Sequence, residues 1–290
     1  MIGVARTILR ALGVDTGSLF NRVAAASIDA AVKAQGLAAL RADLRRVVPD
    51  ISQQYTYTID DENYHRIGER KMRSLHAFQI KCVLDALPGL GPGATIVDIG
   101  DSSGAHGMYV KAVAPEGAVN RYISVNLDPV AVDKVNKGGG EAILCRAEEL
   151  NHQSVHADLF VSFETIEHLL DPVRFLHDLA TKGAADQILF SVPYRRSSQF
   201  GGYHLRLPDS NLPQRVTPEE LHVMELSPED WTIACRLAGF RAMSVQIYRQ
   251  YPKWHPIWFM APIWRRLDFE GYVCIRAKKD LEFADRYSGW

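Results

Sequence analysis

The apolar run Leu159–Phe163 is followed at once by Glu164, and Glu167 and His168 come soon after, so three groups able to move protons or hold a cation share five positions. Imidazole titrates closest to neutrality of all side chains, and a carboxylate beside it supplies the other half of general acid–base chemistry. His204 and His222 stand further along the chain and complete, with His168 and Glu164, a set of candidate bases. The oxygen and nitrogen donors of Glu164, Glu167 and His168 also suit a divalent cation. Three donors on one short segment are not a coordination shell, and no metal is expected.

A second set of residues is built for holding a ligand rather than for proton transfer. In ATIVDIGDSSGAHG (94–107), Gly100, Gly104 and Gly107 follow an apolar run directly. Glycine lets the backbone come close to a bound molecule because it has no side chain to intervene. The spacing is not the G-x-G-x-x-G of dinucleotide sites, and no Lys-Ser or Lys-Thr follows to make a P-loop. The stretch presents Asp98-x-Gly100-x-Ser102-x-Gly104 instead.

These residues need a frame. TIVDIG, RYISVN, EAILC, DLFVSF and QILFSV are short runs rich in branched apolar residues, and they alternate with helical patterns. Such alternation predicts crossover units around a parallel sheet. Two more strands are expected near Met243–Tyr248 and Tyr272–Ala277, on either side of an aromatic insertion. Upstream, Leu37, Leu40, Leu44 and Val47 recur at helical spacing until Pro49, and a second helix is expected from about Asp61 to Leu87. The boxes Thr217-Pro218-Glu219-Glu220 and Ser227-Pro228-Glu229-Asp230 predict two helix starts, the second helix ending at Gly239.

Composition narrows the field. The 290 residues carry 33 basic and 34 acidic side chains, a net charge of -1 that offers no footprint for a polyanion, so no nucleic-acid partner is expected. The four cysteines are far apart in the sequence and read as buried, reduced thiols, which fits a cytoplasmic protein. No stretch is long and apolar enough for a spanning helix.

The ordered motifs resemble the class I S-adenosylmethionine-dependent methyltransferases. The stretch from Asp98 to Gly104 is similar to that family's first motif, and Ser124–Pro129 stands at the place of its second. Asp158–Leu169, with its Glu-His pair, looks like the strand-four signature. Ser191-Val192-Pro193 resembles the close of the family's fifth strand, and the segment from His222 to Phe240 its last helix. The resemblance covers roughly residues 71 to 280. It implies a Rossmann-like, doubly wound α/β fold with a mostly parallel seven-stranded sheet and an antiparallel last strand. Residues 1–70 are then an N-terminal helical extension, and 71–290 a catalytic domain with insertions near 194–226 and 251–269.

The same resemblance implies S-adenosylmethionine as cofactor. Gly100, Ser102 and Gly104 would line its methionine half and Asp98 would reach toward its ammonium. Asn126, with Leu127 beside it, would contact the ribose, and Ala147 with Glu148 would flank the adenine. Phe163 belongs to the same cofactor-side set. Two departures stand out: Ser102 replaces the middle glycine, and Asn126 the usual acid. They keep open a catalytically inactive partner subunit, while a nicotinamide-linked oxidoreductase would need the dinucleotide turn that is missing.

The acceptor is expected to be a small molecule or glycan methylated on oxygen, with His168 as leading base. The stretch 194–215 carries Arg195, Arg196, Tyr203, His204, Arg206 and Arg215 against the single acid Asp209, a wall suited to hydroxyl-rich or anionic acceptors, or else a solvated loop. The insertion YPKWHPIWFMAPIWRRLDF (251–269) sets Trp254, Trp258, Phe259, Trp264 and Phe269 beside Lys253, Arg265 and Arg266. It reads as a cover for the core or a homodimer partner, as an acceptor lid, or as a peripheral membrane contact.

Overall fold

The fold is seen in a computed structural model that describes residues 11, 13, 15–54, 67–150, 155–183, 186–208, 211, 215–218, 221–266 and 270–290, with positions 53 and 204 described by backbone alone. Among the described residues the chain passes through α1 (Thr16–Ala34) and α2 (Ala38–Val47), and α3 (Glu69–Ala86) leads into the sheet. The expected start of α3 near Asp61, and Tyr55, Tyr57 and Tyr64, lie outside the described residues.

From Ala94 the chain alternates strand and helix: β1 (Ala94–Ile99), α4 (Ala105–Val113), β2 (Val119–Asn126), α5 (Pro129–Lys137), β3 (Glu141–Leu144), β4 (Leu159–Phe163), α6 (Pro172–Lys182) and β5 (Gln187–Pro193). A two-stranded ladder of β6 (Gln199–Phe200) and β7 (Met224–Glu225) precedes α7 (Pro228–Ala238). The chain ends with β8 (Phe240–Arg249), α8 (Ala261–Arg266) and β9 (Gly271–Lys279). The main sheet has seven strands in the order β3-β2-β1-β4-β5-β9-β8. β9 is antiparallel to both neighbours, so the last strand in sequence lies inside the sheet and β8 forms its edge.

Strand alternation sends side chains to two separate cores. Ile96, Leu159, Val161 and Leu189 pack with α1, α2, α3 and α4 on one face, while Val97, Phe160, Ile188 and Phe190 pack with α6 and α7 on the other. β8 runs in the direction of β5, so the connections leaving β1, β2, β4, β5 and β8 all emerge at one edge. Ligands bind at that carboxyl edge in open α/β sheets.

Two expectations are corrected here. After the box at Thr217 a short 3-10 turn, rather than an α-helix, starts at Pro218 among the described residues, and Glu219 and Glu220 lie outside them. The Val223 N–H donates to the Glu167 carbonyl at 2.7 Å and draws the segment along the tail of β4, after which β7 pairs with β6. Cys145 is only half-buried, whereas Cys82, Cys235 and Cys274 are buried free thiols as expected. The Ser227 box does cap α7, its hydroxyl accepting from the Asp230 N–H, and Gly239 ends the helix with φ of 100°.

Candidate cofactor and acceptor site

The glycine loop turns where glycine is needed and nowhere else. Gly100 has φ of 93° and Gly104 has φ of 79°, while Ser102 avoids the left-handed region, so the serine costs the turn nothing. A Cβ on Gly100 would lie 2.1 Å from the Thr165 hydroxyl, so the tail of β4 can close onto the loop only because that atom is missing. Gly107 lets α4 lie against β2, where a Cβ would stand 2.8 Å from the Tyr122 ring.

Asp98 lies beneath this loop, fully buried. Its Oδ2 accepts from the Tyr122 hydroxyl at 2.8 Å and meets His106 Nδ1 at 3.1 Å, and its Oδ1 has no partner among the described residues. Asp101, also buried, accepts from the Ser124 hydroxyl at 2.6 Å and has its other oxygen 3.5 Å from His106. Burial pushes the Asp101 carboxyl up to about 6, helped by the charge of Asp98. Burial works against protonation of His106, but the Asp98 bond and the two nearby carboxylates raise it overall. The sequence pattern flagged Asp98. It gave no reason to single out Asp101 or His106.

Asn126 is bonded within the loop itself. Its amide nitrogen donates to the Asp101 carbonyl, with Ser102 O at 3.4 Å, and its oxygen accepts from the Asp128 N–H at 2.7 Å. It holds the glycine loop to the end of β2. Leu127 beside it is exposed, and Ala147 and Glu148 begin a short turn after β3, where Glu148 meets Arg146 at 3.8 Å. Phe163 is buried with its ring edge-on to His106 at 5.0 Å.

Beyond β4 the chain makes a strained step. Glu164 has φ of 51°, rare for a side chain of its type, and its carboxylate accepts from the Ser191 hydroxyl at 2.8 Å. Ser191 accepts in turn from the Gln79 amide at 2.9 Å. Burial raises the Glu164 carboxyl to about 8, against the pull of Ser191 and of the Lys71 charge. Burial likewise lowers Lys71 to about 7, against the pull of Glu164. Lys71 Nζ also sits 5.8 Å from the centre of the Tyr272 ring. An acid and an amine that both change charge near neutrality are suited to proton transfer. Sequence reasoning missed Lys71, which reads as one more cation on the polar face of α3.

Of the expected bases, His168 and His222 are brought together, with rings edge to face at 4.7 Å. His168 Nδ1 lies 3.2 Å from the Leu221 carbonyl, and His222 Nδ1 lies 2.6 Å from Glu225 Oε1. Glu225 is also bonded by Arg195 and Gln199. Burial opposes its charge, yet these bonds, with His222 first, hold its carboxyl down at about 2. One donor atom from each of Glu167, His168 and His222 falls within 4.8 Å of the others, and the same holds for Asp98, Asp101 and His106. His204 begins a short helical turn, and its side chain lies outside the description.

Three arginines of the 194–215 stretch have partners within the protein. Arg195 pairs with Glu225, Arg196 with Glu270 at 3.4 Å, and Arg206 bonds the carbonyls of Gly201 and Phe200. The aromatic insertion divides: Trp264 is buried with its indole nitrogen 3.4 Å from the Ser27 hydroxyl of α1, while Trp254, Trp258 and Phe259 are exposed. Phe269 lies outside the described residues. A cavity of about 910 Å³ between α1, α2 and α3 is lined by Arg41, Arg70 and Arg73, but these already pair with Asp29 and Glu69.

A family model described as a methyltransferase domain matches residues 97–183, from β1 through α6. The fold is that of the class I S-adenosylmethionine-dependent methyltransferases. One similar structure is the complex of the Haloferax volcanii Trm112 methyltransferase activator with a methyltransferase, at 15% identity and a TM-score of 0.52, covering 73% of this chain and 93% of that one. Another is the Burkholderia thailandensis 1,6-didemethyltoxoflavin-N1-methyltransferase with bound 1,6-didemethyltoxoflavin and S-adenosylhomocysteine (16%, TM-score 0.50, 75% and 84% covered). The [4+2]-cyclase SpnF is similar too, at 12% and a TM-score of 0.50, with 78% and 86% covered. At such identities the likeness is one of fold, and the cyclase's name is a reminder that one sheet hosts several chemistries. Among curated protein sequences none matches the chain.

Proposed function

We propose that the protein binds S-adenosylmethionine over the loop from Asp98 to Gly104 and transfers its methyl group to an oxygen of a small-molecule or glycan acceptor. The observation that carries the reading is the loop itself: left-handed glycines at 100 and 104 bring bare backbone to the carboxyl edge, above buried acids suited to a cationic ligand. Methyl transfer from a sulfonium needs placement above all, and an oxygen acceptor must also lose a proton. Glu164 and Lys71 supply groups poised for that proton, and they stand in place of His168 as the leading pair. Calorimetry with S-adenosylmethionine and S-adenosylhomocysteine tests the reading. No heat from either at millimolar concentration would sink it.

Asn126 favours a second reading. With an amide at 126, bonded to a loop carbonyl, the site lacks the acid that the resemblance leads one to expect there, which suits a partner subunit that binds cofactor without turning it over. Cofactor binding with no methyl loss across a panel of hydroxylated acceptors would support that alternative. The free cysteines favour a cytoplasmic setting.

The exposed Trp254, Trp258 and Phe259 lie on the connection between β8 and β9, at the edge where acceptors enter, beside Lys253 and Arg266. This placement suits an acceptor carried on an anionic lipid surface. Sedimentation with anionic liposomes of the wild type and of a Trp254→Ala, Trp258→Ala variant tests it. Equal binding by both, or by neither, removes the membrane contact, and a fall in mass of the variant would indicate a homodimer face instead.

A further inference from the structure

We propose that Glu167, His168 and His222 form a binding site for one divalent transition-metal ion, with Glu225 and the Leu221 carbonyl as its outer supports. Three features converge on these residues. One donor atom of each lies within 4.8 Å of the other two, a spacing a single ion can bridge with small side-chain shifts. The Glu167 carboxylate is 1% exposed and its Oε2 has no hydrogen-bond partner among the described residues, an arrangement that costs free energy unless something neutralises it. Both imidazoles, finally, are held by the nitrogen that a metal would not use.

That third feature is the most specific. A ligating histidine typically donates its other ring N–H to a carboxylate or a backbone carbonyl, which fixes the tautomer and the ring direction. His222 has Glu225 in that place at 2.6 Å, and His168 has the Leu221 carbonyl at 3.2 Å. In each ring Nδ1 thereby faces an acceptor, so a metal would take Nε2. Glu225 is itself anchored by Arg195 and Gln199, so the support is rigid. The second cluster lacks this logic: His106 turns its Nδ1 to Asp98, a member of the same group, rather than to an outer acceptor.

The backbone brings these ligands together from distant parts of the chain. Val223 N–H donates to the Glu167 carbonyl at 2.7 Å, so the segment bearing His222 is tied to the turn bearing the other two. Two imidazoles and one carboxylate suit manganese, iron, cobalt or zinc better than magnesium or calcium, which favour all-oxygen shells. Three protein ligands leave positions for oxygen atoms of a bound molecule. Thr165, packed on Gly100, places the site one turn of chain from the cofactor loop, so an acceptor hydroxyl could be held there. That use rests on the methyl-transfer reading, whereas the site does not.

Chelator-stripped protein titrated with cobalt(II), followed by visible absorption and equilibrium dialysis, tests the site. One ion per chain is expected in the wild type, with a spectrum of imidazole-bound cobalt. The His168→Ala, His222→Ala variant should bind at least about 100-fold more weakly, and Glu225→Gln about 10- to 100-fold more weakly. His156→Ala, which alters an exposed ring elsewhere, should match the wild type. Circular dichroism checks folding, and Glu167→Gln, nearly isosteric, replaces the double variant if that one unfolds. Failure of the wild type to bind cobalt, or equal binding by the ligand variants, overturns the proposal. S-adenosylhomocysteine binding measured on the metal-free protein reports separately on the methyltransferase reading.

Discussion

Glu164 and Ser191 are bonded to each other twice: the Glu164 N–H donates to the Ser191 carbonyl at 2.9 Å, and the Ser191 hydroxyl donates to Glu164 Oε1 at 2.8 Å. The pair clamps the ends of β4 and β5 and holds Glu164 at a positive φ that costs free energy. Such a clamp fixes a carboxylate in place, and Lys71 beside it shares its proton balance.

If Glu164 takes the acceptor's proton, Glu164→Gln should lower kcat by on the order of 10²-fold or more. The affinity for S-adenosylhomocysteine should stay within about threefold, because the cofactor loop is untouched. Steady-state kinetics with calorimetry checks both. A variant of undiminished kcat would move the base elsewhere.

Gly100→Ala should destabilise the protein by about 2–4 kcal/mol, summing the left-handed backbone penalty and the overlap with Thr165. Urea melts read this out. Gly117→Ala is the reference, since it shares a positive φ but has nothing within 4 Å of its Cβ, so it should cost only the backbone part.

Asp101 gives a pH signature. Its folded carboxyl is raised from 3.8 to about 6, so the folded state holds the proton more tightly than the unfolded chain does. Stability from this group is therefore full below about pH 4 and is lost as pH rises through about 6, by about 3 kcal/mol in all. Asp101→Asn keeps an acceptor for the Ser124 hydroxyl and removes the titration. Thermal melts should show the variant more stable than wild type above pH 6 and indistinguishable near pH 4.

Asn126→Asp restores the residue that the resemblance leads one to expect, yet it should not restore tighter binding. The new carboxylate would face the carbonyls of Asp101 and Ser102, to which the amide now donates or lies close. A loss of about 1–3 kcal/mol is expected from the broken bond and the repulsion. Melting curves and cofactor titrations together decide it, and a tighter, equally stable variant would refute this account of Asn126.

Much of this molecule is written locally. Apolar runs of strand length, alternating with helical patterns, determined seven strands and their crossovers, because period and turn chemistry are short-range properties of a chain. The left-handed glycines of the cofactor loop were legible for the same reason, since only glycine adopts that backbone freely. The sequence also told where Glu164, His168 and His222 lie along the chain. It could not say that His168 and His222 touch, because the tie between Val223 and Glu167 joins residues 56 positions apart.

Burial was the other thing only the tertiary structure decided. Lys71 and Asp101 look like ordinary surface charges in sequence, and their altered proton affinities come from neighbours folded over them. That Asn126 also holds loop carbonyls is visible only in the folded chain. The motif supplies the residue types. Their partners, and so their chemistry, come from contacts that no local pattern encodes.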